Sequence, residues 1–428
     1  MENRYDKYKD SGIAWIGEIP EHWKVKRLKN ICSQTNIKEN SKGNPLPYIG
    51  LENIESGSGK YIDTTSEVDG IANRFCKNNV LFGKLRPYLS KVYIAESDGI
   101  CSTEFIVYDT KENDCHFIHK LLLSQSFIDV VNSSTYGAKM PRANSEFINN
   151  IYTQIPPIQE QQHISTYLDQ KCSEIDELIT LQEEMITKLQ SYKQSVITEA
   201  VTKGLDKNVP LKDSGIEWIG EIPEHWKVKR LKFSCNVFGR IGFRGYKSDD
   251  LVSEGNGAIT LSPSNMKDMK MDYTNRTYLS WKKYYESPEI MISKNDILMV
   301  KTGSTYGKCS FVDDIPMECT INPQIVVFKQ HKDYPKFLAY SFQTKATRAF
   351  VETSVVGGTI PTIAQEKIMN YFFAFPPLSE QQSIANYLDQ KCSEIDELIS
   401  IKQQKIEKLK DYKKSLIFEC VTGKRKVS

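Results

Sequence analysis

Residues 10–32 read DSGIAWIGEIPEHWKVKRLKNIC, and the chain repeats this stretch at 213–235 as DSGIEWIGEIPEHWKVKRLKFSC. Of the 23 positions, 20 are identical, at a spacing of 203 residues. A second repeat joins 167–179 to 387–399, where YLDQKCSEIDELI is identical at all 13 positions and the spacing is 220 residues. Long repeats in the same order indicate one structural plan used twice. The second half therefore holds 17 more residues between its repeated ends.

The stretches between the repeats have diverged almost completely. Short similarities survive between Lys77–Leu81 and Lys294–Leu298, and between the pair Gly137 and Pro141 and the pair Gly357 and Pro361. Each half thus has a constant leading segment, a variable domain and a constant trailing segment. The predicted boundaries are 1–155 for the first leading segment and domain, 156–204 for the first trailing segment, 205–375 for the second leading segment and domain, and 376–428 for the second trailing segment.

The trailing segments have the pattern of long helices. A prolyl-prolyl pair precedes each one, and Gly204 and Gly423 are plausible helix ends. Apolar residues recur in steps of three, four and seven at Leu168, Cys172, Ile175, Ile179, Ile186, Leu189 and Val196, and in the same register at Leu388, Cys392, Ile395, Ile399, Ile406, Leu409 and Leu416. So narrow a seam predicts a coiled coil in which each helix is the partner of the other. The alternative is that each helix packs on its own domain.

The variable domains read as mixed α and β structure. Short β-branched and aromatic runs at 92–95, 105–108 and 324–328 are bounded by Gly, Asp, Asn and Pro, which is typical of strands. Helices are expected near 116–132 and 334–350. The predicted fold class is α+β, with an internal pseudo-twofold repeat.

The composition is that of a folded protein, with 39% hydrophobic and 26% charged residues. No run of about 18 apolar residues occurs, and MENRYDKYKDSG lacks the apolar core of a secretory signal. We therefore expect a cytoplasmic protein with no membrane contact. Cys115, His116 and His119 lack the four paired ligands of structural zinc, so no metal site is expected.

Positive charge is concentrated in the second variable domain. Residues 227–375 hold 21 Lys and Arg against 14 Asp and Glu, a net charge of +7, whereas residues 24–155 reach only +2. The segment 160–204 has a net charge of −4. This distribution favours an anionic partner for the globular segments.

The repeated segments resemble a known family. SGIEWIGEIPEHWKVKRLK at 214–232, its copy at 11–29, IPPIQEQQHISTYLDQK at 155–171 and FPPLSEQQSIANYLDQK at 375–391 are similar to the conserved regions of type I restriction–modification specificity subunits. The resemblance covers essentially the whole chain. It implies two target-recognition domains, each reading one half of a bipartite, asymmetric site in double-stranded DNA. It also implies an antiparallel helix pair that sets the spacer.

The resemblance further implies the protein partners. The conserved regions would dock two modification (methyltransferase) subunits, and restriction (motor and nuclease) subunits would join in the full complex. The chain itself is expected to be non-catalytic and to need no cofactor. Asn322-Pro323 is followed by Gln324, and both prolyl-prolyl pairs follow apolar residues, so the motif of adenine methyltransferases is missing. A coiled-coil scaffold whose variable domains bind protein is the alternative.

Polar, glycine-rich loops carry the candidate DNA-contacting residues. Specific readout needs side chains that form paired hydrogen bonds with base edges, and phosphate contacts need Lys, Arg, Ser, Thr or backbone amides. In the first domain the candidates are Lys84, Arg86, Tyr88, Tyr136, Lys139 and Arg142. In the second domain they are Arg240, Arg244, Tyr246, Lys247, Lys301, Ser304, Thr305, Tyr306 and Lys308.

Overall fold

The computed structural model describes residues 4–64, 69–137, 139–356 and 361–427. It contains two compact units, one formed by residues 1–183 with 403–428 and the other by residues 184–402. Gly357, part of one predicted similarity between the halves, lies outside the described residues.

The first unit contains the first variable domain. Its strands are β1 Tyr8–Asp10, β2 Glu18–Pro20, β3 Lys24–Arg27, β4 Ser33–Thr35, β5 Lys38–Asn40, β6 Tyr48–Ile49, β7 Ile71–Phe75, β8 Val80–Gly83, β9 Val92–Ile94, β10 Gly99–Ser102, β11 Phe105–Asp109 and β12 Tyr152–Ile155. Its helices are α1 Leu28–Ile31, α2 Cys115–Leu123, α3 Gln125–Ser133, α4 Ser145–Asn150 and the first part of α5 Ile158–Lys203. Short 3₁₀ turns cover Leu51–Asn53 and Pro87–Leu89.

Two four-stranded sheets form the body of this domain, in the orders β4-β11-β8-β9 and β5-β7-β10-β6. The strand β8 reads VLFG and is buried throughout, because its residues alternate between two cores. Val80 and Phe82 pack into the core that holds α2 and α3, and Leu81 packs into a smaller core with Phe75. A strand that is buried on both faces has such a continuous apolar run.

The second unit contains the second variable domain. Its strands are β13 Leu211–Asp213, β14 Glu221–Pro223, β15 Lys227–Arg230, β16 Asn236–Gly239, β17 Leu251–Val252, β18 Gly257–Leu261, β19 Met266–Lys267, β20 Lys270–Met271, β21 Tyr278–Ser280, β22 Ile297–Val300, β23 Cys309–Phe311, β24 Cys319–Ile321, β25 Ile325–Lys329, β26 Val355–Val356, β27 Thr362–Ile363 and β28 Phe372–Phe375. Its helices are α6 Trp281–Tyr285, α7 Pro335–Phe342, α8 Lys345–Thr353, α9 Gln365–Met369 and the first part of α10 Leu378–Val421. Its 3₁₀ turns cover Leu231–Phe233, Gly242–Arg244, Ser248–Asp250, Pro263–Asn265 and Pro288–Ile290.

The central sheet of the second domain, β16-β25-β22-β23, has the same strand order and antiparallel pairing as β4-β11-β8-β9. Its strand β22 again alternates, with Ile297 in the larger core and Leu298 in the smaller one. The other sheet has the order β17-β21-β18-β24. The two domains therefore share one central plan, and the repeat predicted from the sequence is confirmed.

The two long helices pair within each unit. The core of the first unit includes Leu168, Cys172 and Ile175 of α5 together with Leu416, Cys420 and Val421 of α10. The core of the second unit includes Val196, Ala200 and Val201 of α5 together with Ile384, Leu388 and Cys392 of α10. The early part of each helix thus meets the late part of the other. This confirms the predicted antiparallel pair and rejects the alternative in which each helix packs only on its own domain.

A glycine ends each long helix against a leading segment. Gly204 has a φ of +75° and Gly423 a φ of +72°, the left-handed conformation that glycine adopts without strain. A Cβ at residue 423 would lie 2.3 Å from the Pro20 ring, and one at residue 204 would lie 3.4 Å from the Trp226 ring. The positive φ favours glycine at both positions, and at residue 423 the Pro20 ring also leaves no room for a Cβ. Each glycine joint packs a leading segment against a helix end.

Candidate nucleic-acid interface

In the first unit, two loops predicted to contact DNA lie side by side. The backbone N–H of Arg86 donates to the carbonyl of Pro141 at 2.7 Å. Isolated β-bridges join Leu85 to Arg142 and Tyr136 to Arg142. The structure therefore brings together the six residues selected from two distant parts of the first domain.

The second unit builds the same junction. The N–H of Gly303 donates to the carbonyl of Pro361 at 3.0 Å, and a bridge joins Thr302 to Thr362. The N–H of Ile363 donates to the carbonyl of Lys301 at 2.9 Å, just as that of Ala143 donates to the carbonyl of Lys84 at 2.9 Å in the first unit. We call the two loops with their hydrogen-bonded neighbours the reading junctions: 84–90 with 104, 136–137 and 139–142 in the first unit, and 301–308 with 324 and 361–363 in the second.

Several side chains of the first junction reach the surface. Tyr136 is 66% exposed and Tyr88 is 52% exposed, values that are high for large aromatic residues. Lys139 is exposed and Lys84 is half-buried. Arg142 forms an ion pair with Glu104, with its Nη2 2.9 Å from Oε1. The junction thus presents cations and aromatic rings to solvent.

Arg86 has a strained backbone. Its φ of +51° and ψ of +61° place it in the left-handed region, which is uncommon for a non-glycine residue. The equivalent residue of the second junction is Gly303, with a φ of +109°. In addition, the Nε of Arg86 is buried and forms no hydrogen bond within the described part of the chain. Arg86 thus combines a backbone conformation that favours glycine with a buried guanidinium nitrogen that has no partner in the described part of the chain, which makes its side chain a candidate for ligand contact.

Arg240 lies inside the second domain, and only 5% of it is exposed. Its Nε donates to the carbonyl of Ile321 at 3.2 Å, and its Nη2 donates to Oγ1 of Thr320 at 3.1 Å. Its guanidinium also lies 5.2 Å from the ring centroid of Tyr246. Burial lowers the pKa of Arg240. Arg240 therefore holds its own loop through buried hydrogen bonds, with the half-buried Tyr246 ring beside it, and DNA contact by either residue stays a prediction.

Other residues of this loop are accessible. Lys247 is exposed and its backbone N–H donates to Asp250 at 2.8 Å. Arg244 lies in a 3₁₀ turn, and its Nη1 is 3.4 Å from Oε1 of Glu289. These two cations remain candidates for phosphate or base contact.

The loop 301–308 forms one wall of a polar cleft of about 580 Å³. The lining includes the predicted residues Ser304, Thr305 and Lys308. Tyr306 is half-buried and helps to line an adjoining cleft. Burial lowers the pKa of Lys301, and within the described ranges no acidic group pairs with its Nζ. A half-buried lysine without a counter-ion favours an anionic ligand.

Sequence reasoning missed several residues of the junctions. The cleft also contains Ser262, Ser264, Lys267 and Gln324, and the first junction contains Glu104. Ser262 and Gln324 are separated by 62 residues in sequence, and neither lies in a basic or glycine-rich run. The position of Gln324 directly before the buried strand Ile325–Lys329 could have indicated a functional role, because functional residues are often found in loops at strand ends.

Some other chemistries find no support among the described residues. No group of three His, Cys, Asp or Glu is arranged to hold a metal ion there. His119 is buried, its Nε2 contacts the carbonyl of Val92 at 3.0 Å, and burial lowers its pKa to about 4. In the same ranges, no helix combines the length and apolar character needed to cross a bilayer.

Solved structures share this fold. A chain from the structural study of complex assembly and conformational transition of the type I R-M system matches with a TM-score of 0.76 and 19% identity, over 94% of this chain and 98% of that chain. The HsdS subunit from Thermoanaerobacter tengcongensis matches with a TM-score of 0.54 and 19% identity, over 95% of this chain and 98% of that chain.

Sequence relatives point to the same group. The MjaVIII specificity subunit of a type I restriction enzyme from Methanocaldococcus jannaschii is 24% identical over 96% of this chain and 94% of its own. The EcoDI specificity subunit from Escherichia coli is 27% identical over 43% of each chain. Residues 20–190 and 223–411 each match the family described as type I restriction modification DNA specificity domain. The chain carries this domain twice and belongs to that family.

Proposed function

We propose that this chain is the sequence-specific DNA-binding subunit of a type I restriction–modification complex. Each target-recognition domain reads one half of a bipartite, asymmetric site in double-stranded DNA. The observation that carries the proposal is the pair of reading junctions. Both have the same backbone hydrogen bonds, yet Arg86 in one corresponds to Gly303 in the other. One scaffold with different side chains is what two readers of different half-sites require.

The chemistry of the junctions supports DNA as the ligand. Lys84, Lys139 and Arg142 belong to the first junction. Lys301 and Lys308 belong to the second, and Lys267 lies beside it in the cleft. Cations bind phosphates and fix a protein on the duplex, whereas the paired donors of Arg and the donor–acceptor pair of Gln distinguish bases. The hydroxyl groups of Ser262, Ser304 and Thr305 add further phosphate contacts.

The paired helices set the distance between the half-sites in this proposal. Reader separation in split-site DNA-binding proteins is a geometric property of the element that joins the readers. The helices also dock two modification subunits. Leu178 and Leu181 of α5 are exposed in the first unit, and Leu398 and Ile401 of α10 are exposed in the second. These residues are related by the 220-residue repeat, so two equivalent apolar patches are available for two copies of one partner.

The chain contributes no catalysis in this proposal. Modification subunits supply methyl transfer, and restriction subunits join them to supply the motor and the nuclease. The chain binds no cofactor of its own and acts in the cytoplasm, where these partners meet DNA.

A domain exchange tests the proposal. Residues 24–155 are replaced by the corresponding domain of another family member, and methylated sites are mapped by sequencing in cells that also produce the modification subunits. We expect one half of the mapped site to change and the other to stay. A folded, assembled chimaera that changes both halves contradicts independent readers.

A salt titration separates DNA binding from the scaffold alternative. Contacts with several phosphates release counter-ions, so the logarithm of the DNA affinity should fall steeply and linearly with the logarithm of salt concentration. A chain that assembles with modification subunits but shows no such dependence, and no preference for the mapped site, would instead be a protein-binding scaffold.

A further inference from the structure

Glu104 and Gln324 occupy the same place in the two reading junctions. The carbonyl of Glu104 accepts from the N–H of Lys84 at 2.9 Å, and the carbonyl of Gln324 accepts from the N–H of Lys301 at 2.8 Å. Each residue directly precedes the equivalent central strand, β11 or β25. The backbones are therefore matched, and only the side chains differ.

A second position differs together with the first. Arg142 bridges Leu85 in the first unit, and Thr362 bridges Thr302 in the second. Glu104 and Arg142 form one local pair in the first junction, and Gln324 and Thr362 hold the same positions in the second. The first junction thus has a charged pair, Glu104 and Arg142, at the two positions where the second junction has neutral side chains.

In the first unit, Glu104 holds Arg142 in place. Its Oε1 lies 2.9 Å from Nη2 of Arg142. Its Oε2 is buried and accepts no hydrogen bond within the described part of the chain, so this oxygen is out of reach of a base. The Arg142 side chain is 47% exposed. Glu104 is therefore a positioning residue, and Arg142 presents its remaining donors.

In the second unit, Gln324 is exposed and lines the polar cleft beside Ser304 and Lys308. Its Oε1 accepts from Nδ2 of Asn322 at 3.1 Å, which orients the amide and leaves a lone pair on the oxygen. Near it, Oγ1 of Thr362 lies 3.4 Å from Oγ1 of Thr302. The amide can therefore donate and accept at the same time.

We propose that this exchanged pair makes the two half-sites differ: Gln324 reads an adenine in one half-site, and Arg142, held by Glu104, reads a guanine in the other. A glutamine amide matches N6 and N7 of adenine, and a guanidinium matches O6 and N7 of guanine. The inference rests on the proposed function and adds the residues and the bases. It assigns a specificity role to Gln324 and a positioning role to Glu104.

The test uses the full chain assembled with its modification subunits. The site of the wild-type complex is first mapped by methylation sequencing. Competition binding then compares duplexes in which each base pair of the site is replaced in turn. Gln324→Ala should remove roughly five- to hundredfold of discrimination at one A·T pair and leave the others unchanged. Arg142→Ala should do the same at one G·C pair in the other half.

Glu104→Gln tests the positioning role. It should weaken discrimination at the same G·C pair as Arg142→Ala, and by less, because the guanidinium remains. A general structural effect would instead weaken every pair of that half-site. Gln404→Ala, at an exposed position on α10, is the matched control and should change nothing.

The outcomes separate two kinds of failure. A wild-type complex with no preference among the duplexes defeats the proposed function. A wild-type complex that discriminates, combined with a folded Gln324→Ala variant that keeps full discrimination at every pair, defeats only this inference. Loss at a G·C pair for Gln324→Ala also overturns the base assignment. Gln324→Asn keeps the amide but is one methylene shorter, so it should fold like the wild type. It should lose discrimination at the same A·T pair as Gln324→Ala.

Discussion

Lys413 Nζ lies 2.7 Å from Oδ1 of Asp176, joining α10 to α5 in the first unit. In the second unit, the repeat-related residues Lys193 and Asp396 are 2.6 Å apart. Asp176 has an additional partner, because Nζ of Lys60 in the first recognition domain lies 3.2 Å from its Oδ2. Asp176 therefore ties the helix pair and the domain together.

This difference predicts unequal costs for two matched variants. Asp176→Asn loses two ion pairs and should destabilise the protein by about 1 kcal/mol, whereas Asp396→Asn loses one exposed pair and should cost about half as much. Urea unfolding monitored by circular dichroism measures both. Equal losses would mean that Lys60 contributes nothing.

The same carboxylate predicts a pH dependence. Burial acts to raise the pKa of Asp176, but Lys413 and Lys60 together outweigh it and lower the pKa. A depressed folded-state pKa gives stability that is fully present above the unfolded-state pKa near 4 and is lost as pH falls through the folded value. The difference in Tm between wild type and Asp176→Asn should thus be constant from pH 7 to 5 and shrink below about pH 4. A difference that persists unchanged at pH 3 contradicts this assignment.

Arg86→Gly separates stability from binding. Glycine relieves the left-handed strain at this position but makes the unfolded chain more flexible, so stability should stay within about 1 kcal/mol of wild type. Binding to the specific duplex should weaken by about 1–3 kcal/mol if Arg86 contacts a base. Thermal unfolding and equilibrium DNA binding measure the two effects. Unchanged affinity would show that the strained arginine is not a reader.

Arg240 and Arg244 should behave oppositely although they are four residues apart. Arg240→Ala removes the guanidinium hydrogen bonds to the Ile321 carbonyl and to the buried Thr320 hydroxyl, and should cost about 2–4 kcal/mol of stability. Arg244→Ala should cost less than about 1 kcal/mol and reduce DNA affinity. Denaturant unfolding and DNA binding on both variants decide this. A stable Arg240→Ala variant with altered base preference would restore Arg240 as a reader.

The exposed apolar patches on α5 and α10 predict that the two modification subunits can be removed one at a time by substitution. Leu181 and Ile401 are each 51% exposed. Leu181→Glu or Ile401→Glu alone should remove one of two modification subunits, and the double variant should remove both, because a charge is costly inside an apolar interface. Native mass spectrometry counts the subunits, and Gln190→Glu on α5 serves as the control. Full assembly of the double variant would place the docking surface elsewhere.

The sequence predicted the architecture well because its signals were repeats and helical periodicity. The ends of the predicted seam, Leu168 to Ile175 and Val196, lie in the structure among buried residues shared by the two helices, and Ile186 and Leu189 between them are half-buried. Leu416 and Leu388 occupy matching cores. Repeats and helical periodicity can be read from the sequence without knowing any tertiary contact, because they recur along a single element.

The site was harder to predict because side-chain exposure depends on distant residues. Arg240 looked accessible in a glycine-rich loop, but Thr320 and Ile321, about eighty residues further along, take up its guanidinium. From the sequence Gln324 reads only as the start of a strand, because its equivalence to Glu104 rests on backbone hydrogen bonds and not on similar flanking sequence. DNA contact by the remaining candidates stays a prediction.

The glycine joints at residues 204 and 423 have a combinatorial consequence. Each recognition domain is connected through the same kind of joint: Trp226 lies beside Gly204, and Trp23 lies beside Gly423. Under the proposed function, exchanging the two domains in the gene leaves each domain on an equivalent joint and only reverses the order of the two half-sites. Such a protein reads the same duplex from the opposite strand. A pool of n exchangeable domains would then encode n(n + 1)/2 distinct specificities and not n², so the order of the domains carries no information.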